Sequence, residues 1–164
     1  MSAPAFLTLA ALAGLTVACH RKQPPPIDTS KFELPAVEAV VRRVFADAEP
    51  AGEAKVGIIV FSERMKDSSQ EFRGRLSDLG LPLVSSSRMT QVWVGPVARV
   101  VDRETNFQPL QLQITSVEPR EDSVREIVAA WAFGDKMERR RYLARPSTDG
   151  KWTVEPLEVI ASKP

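Results

Sequence analysis

Cysteine and histidine are all but missing: the 164 residues contain one of each, Cys19 and His20. One cysteine excludes an intramolecular disulfide, and the two together cannot supply a zinc site that needs several Cys or His ligands. Everything after residue 20 lacks both thiol and imidazole. Ser-His-Asp and Cys-His nucleophile systems are therefore excluded there, as is acid–base work by histidine. Charge of one sign is lacking too, since 22 Lys+Arg stand against 21 Asp+Glu. A nucleic-acid-binding domain normally carries a clear basic surplus, so no nucleic-acid partner is expected. Glycine is sparse, and no phosphate loop is built from it: Gly52 and Gly57 lack a following Lys-Ser/Thr, and Gly74 lies in a helical pattern.

Carboxylates are plentiful but wrongly spaced for calcium. Asp102 and Glu104 in DRET, and Glu118, Glu121 and Asp122 in EPRED, lack the alternating acids around a central glycine. Both groups read as solvated turn residues. Neither metal nor cofactor is expected, and the chain reads as a non-enzyme.

Also absent is an apolar run long enough to cross a bilayer. Residues 5–18, AFLTLAALAGLTVA, are uncharged. As a helix they would extend about 21 Å, short of the ~30 Å hydrocarbon core. That length suits a secretory signal peptide over 1–18. The run ends at Thr16-Val17-Ala18-Cys19, which resembles the lipobox of bacterial lipoproteins, with Thr16 where Leu is usual. The resemblance implies cleavage before Cys19, lipidation of that cysteine and anchoring in a membrane. His20 replaces the Asp that commonly retains such proteins in the inner membrane, which implies the outer membrane, periplasmic side. A free thiol and plain secretion are the alternatives. Residues 19–31 hold three consecutive prolines and read as an extended tether. One domain follows, over 32–162.

Within it, helices come first and strands later. Pro35 suits the first turn of a helix whose Val37, Val40, Val41, Val44 and Phe45 recur at helical spacing. KVGIIVFS reads as a buried strand. Ser68 and Glu71 form a capping box for a second helix, with Phe72, Leu76 and Leu79 on one face and Gly80 as its stop. MTQVWV and VARVV flank the turn Gly95-Pro96. LQLQITSV alternates, SVREIVAAWAF is a long strand, and turns at Gly134-Asp135 and Asp149-Gly150 lead into MERRRYLAR and KWTVEPLEVI. The expected class is α+β: two amphipathic helices against a curved, mainly antiparallel sheet that ends in a three-stranded meander.

The segment VVDRETN and the ending RRYLARPSTDGKWTV resemble an uncharacterised family of small secreted or lipoprotein bacterial domains. Its members share V-x-D-x-E-T-G and an ending of the type Y-x-L-x-x-x-D-G-K-W-x-V. The resemblance covers roughly 37–162, with Asn106 in the place of the usual Gly, and AAWAFGDKM replacing a segment that often carries two cysteines. It implies no known activity and supplies no functional residues. A looser likeness of element order is to the NTF2-like fold, whose sheet encloses a pocket.

Two groups stand out as candidate sites. Arg139, Arg141 and Arg145 share one face of a strand, where guanidiniums could recognise anions or an acidic partner; the plainer reading is a neutralised outer face. Tyr142 and Arg140 point the other way and, with Trp131, could line a pocket. Trp93, Trp131 and Trp152 read as core or as pocket walls. The function expected is that of a non-catalytic, lipid-anchored envelope protein acting through a protein partner. The alternatives are an immunity-type periplasmic lipoprotein and an NTF2-like pocket enzyme or small-ligand carrier.

Overall fold

The structure is a computed structural model that describes residues 32, 34–62, 65–121 and 123–160. The readings of a signal peptide over 1–18, a tether over 19–31 and lipidation at Cys19 lie outside the described residues.

Helix α1 (Pro35–Asp47) opens with proline in its first turn, where an amide N–H would find no intrahelical partner. Ala36, Val37, Val40, Val41 and Val44 form its buried stripe. Ion pairs Arg42–Glu38 at 3.1 Å and Arg43–Asp47 at 2.9 Å run along its polar side. There follow β1 (Gly57–Phe61), β2 (Lys66–Asp67), α2 (Gln70–Arg75), β3 (Leu83–Val84), β4 (Met89–Val94) and β5 (Val97–Asp102). The chain ends in β6 (Leu110–Pro119), β7 (Arg125–Phe133), β8 (Lys136–Pro146) and β9 (Trp152–Val159).

Strands β2-β1-β6-β7-β8-β9 form the main sheet in that order, with β3 beside the first half of β1 and β2 beside its end. β1 is buried along its whole length and runs parallel to β6, from Gly57↔Leu110 to Phe61↔Ile114. α1 packs against β6, β7, β8 and β9. The core between them takes in Ile59, Phe61, Leu112, Ile127, Trp131 and Tyr142. Phe61 is stacked on Phe32 at 5.4 Å and meets the edge of Phe72 at 5.5 Å.

The expected architecture is corrected in two respects. The molecule is mostly β with one substantial helix, not two helices against a sheet. α2 has only six residues and gives way to a 3-10 turn over Ser77–Leu79. Its cap is Ser69, whose hydroxyl accepts from the Phe72 amide at 3.0 Å, rather than Ser68. Ser68 lies one residue too early, since the helix begins at Gln70, and its amide donates to the Ile59 carbonyl of β1 at 3.1 Å. Gly74, within the helix, lowers its stability through the conformational entropy that it loses. Secondly, the sheet is mixed, since β1 is parallel to both β3 and β6, and the closing meander β6–β9 has four strands. β4 and β5 pair only with each other, as a separate two-stranded sheet.

Candidate functional site

Strand β8 separates the two groups of candidate residues by simple alternation. Tyr142 and Ala144 lie in the core beneath α1, and Arg140 on that side pairs with Glu138 at 3.0 Å. Tyr142 is 1% exposed, and burial, then the charge of Asp47, pushes its phenol up to about 12. It therefore stays protonated at neutral pH and cannot act as a base. Trp131 is buried in the same core, and its indole N–H finds no hydrogen-bond partner there. None of the clefts described below is lined by Tyr142, Arg140 or Trp131.

On the opposite face the three arginines differ. Arg141 is held between Glu126 at 3.2 Å and Glu158 at 3.0 Å. Arg139 donates to the Thr115 hydroxyl at 3.2 Å and forms no ion pair among the described residues. Arg145 is exposed. Arg139 and Arg141 stand opposite Ala130 and Val128, both 8% exposed, on the side of the sheet away from α1. Long stems over small apolar residues explain that burial without a covering helix.

The β4–β5 hairpin is the feature the sequence reading undervalued. Gly95 has φ +61 and Pro96 cannot follow it into positive φ, which favours a II′ turn over I′. The turn sets the register Val94↔Val97 through Met89↔Asp102. Trp93 is 70% exposed, Val94 55%, Val97 52% and Val100 47%. The expectation that Trp93 is core or pocket wall is thus corrected: the ribbon pairs only with itself, and it is buried only at its base, at Val101 and Asp102. Between this hairpin and the far end of the main sheet lies a cleft of about 530 Å³, lined by Val97, Arg99, Val100, Pro109, Ala132 and Phe133 among others. A second cleft of about 590 Å³ lies between α2 and β3, and its cations Arg73 and Arg88 are already paired with Asp67 and Asp102.

The hairpin is fixed at its base. Arg88 donates from Nε to Asp102 Oδ1 at 2.8 Å and from Nη2 to Oδ2 at 2.7 Å. The Thr105 amide and hydroxyl donate to the same carboxylate at 3.1 and 2.7 Å. Asp102 is fully buried, against the expectation of a solvated turn residue. The Arg88 guanidinium, chiefly, holds its carboxyl well below the usual range despite the burial. Asn106 closes the turn at φ +59, a conformation in which Gly and Asn are the suited residues. The signal for this clamp was available: the hairpin register places residue 88 opposite 103, next to Asp102, and the Arg103 amide donates to the Arg88 carbonyl at 3.0 Å.

Among the described residues no cluster of three His, Cys, Asp or Glu could hold a metal ion, and no helix is long and apolar enough to cross a membrane. Comparison with family models, curated proteins and solved structures gives no match.

Proposed function

We propose that the chain is a non-catalytic, lipid-anchored protein of the bacterial envelope that acts by binding a partner. The β4–β5 hairpin and the cleft beside it are the contact element. One observation carries the reading: apolar side chains from Trp93 to Val100 are exposed on a ribbon clamped by Arg88 and Asp102. Exposed apolar patches of this kind mark interaction sites. The sequence supports the anchor, through the uncharged run that ends at the only cysteine. Hydroxyl-radical footprinting tests the contact element. Trp93 should oxidise readily in the purified protein and be protected in isolated envelopes; equal oxidation in both would overturn the reading.

A further inference from the structure

We infer that the partner met by the tip of the β4–β5 hairpin is lipid rather than protein: the tip docks into the interfacial layer of an anionic bilayer, the one that carries the acyl group on Cys19. The inference rests on the anchored reading for the nearness of that bilayer, and on the hairpin alone for the contact itself.

The distribution of apolar side chains points to lipid. Alternation places Trp93 and Val100 on one face of the ribbon and Val94 and Val97 on the other. A protein groove would cover one face and leave the other wet. A bilayer interface surrounds the tip and covers both. Trp93 suits that layer, because its ring is apolar while its N–H keeps a polar partner at headgroup level.

Charge agrees. From residue 89 to 98 the chain has neither acid nor base. Arg99, on the Val94 and Val97 face, is exposed and has no ion pair among the described residues. An apolar tip followed by one free cation complements anionic headgroups.

Reach agrees as well. The 13 residues 19–31 span at most about 45 Å when fully extended. The hairpin is about 20 Å long. An acylated Cys19 would thus hold the domain within about 45 Å of the surface and leave it free to turn the tip towards it. Depth is limited by the ribbon's outer backbone groups, which cannot be left unpaired in hydrocarbon, so the tip stops at the headgroup and upper acyl region.

The test compares the fluorescence of the full chain with that of Trp93→Ala in vesicles of phosphatidylcholine and phosphatidylglycerol. Some vesicles contain lipids brominated near the headgroup and others lipids brominated near the chain end. Trp93 is exposed, so its removal should leave the far-ultraviolet circular dichroism unchanged. The difference emission, which is that of Trp93, should shift to the blue and fall about twofold or more with shallow bromine, and less with deep bromine. Emission that stays solvent-like and unquenched in both would overturn the inference and leave the hairpin to a protein partner. The Cys19→Ser chain with excess vesicles separates the two claims. Quenching there sustains the tip contact even if Cys19 proves unmodified, whereas no quenching in an acylated protein removes the tip contact and leaves the anchor standing.

Discussion

The single tyrosine of the chain lies beneath α1 with its ring in the core, which makes its titration readable without interference. Its phenol is pushed up to about 12 chiefly by burial. The folded state therefore holds the proton more tightly than the unfolded chain, where the ordinary value is about 10. Stability from this group is full below about pH 10 and is lost as pH rises towards 12. Absorbance at the phenolate band should show a midpoint near 12 in the native protein and near ~10 in denaturant. Equal midpoints would mean that Tyr142 reaches water. At the same scale, Asn106 shows why one local signal went unread: its positive φ is visible only once the Asp102–Phe107 turn is in place, with the Asp102 amide on the Phe107 carbonyl at 2.9 Å.

Among the elements, the β4–β5 hairpin shows where sequence patterns inform and where they stop. Gly95-Pro96 and the flanking apolar runs define two strands and their register. They do not say whether a ribbon has neighbours, and β-branched residues look the same in a core as on an unpaired hairpin. DRET reads as a solvated turn for a similar reason, because the burial of Asp102 depends on Arg88, whose reach follows from the register rather than from local composition. The continuous run at β1 marks burial on both faces, yet its parallel partner β6 begins 49 residues after its end, beyond any local period. The regular spacing of 37–45, by contrast, does coincide with the buried stripe of α1. The clamp gives a prediction for the element. Asp102 titrates lower when folded, so its contribution is full above about pH 4, the unfolded value, and is lost as pH falls below that. Asp102→Asn should lower the melting temperature by several degrees at pH 7 and flatten this acid dependence. A variant that melts like the wild type at pH 7 would show that the hairpin base does not depend on the ion pair.

At the scale of the whole molecule, one face of the main sheet is covered by α1; the other is closed at β1, where Ile58 and Val60 are buried, but among the described residues has no covering helix over β7 and β8, and the hairpin stands beside it. Arg141 is neutralised by two carboxylates, so that uncovered stretch presents fewer free cations than the run of arginines suggests. The proposed anchor at Cys19, the proline-rich segment after it and the exposed apolar hairpin would together suit a binding module held at a membrane. The anchor is the claim on which that account most depends. The measurement that tests it most directly is the intact mass of the protein from the membrane fraction, beside a Cys19→Ser variant. The expected result is a chain that begins at Cys19 and carries acyl mass, with that species absent from the variant. An unmodified chain, recovered in the soluble fraction whether or not Cys19 is present, would contradict it.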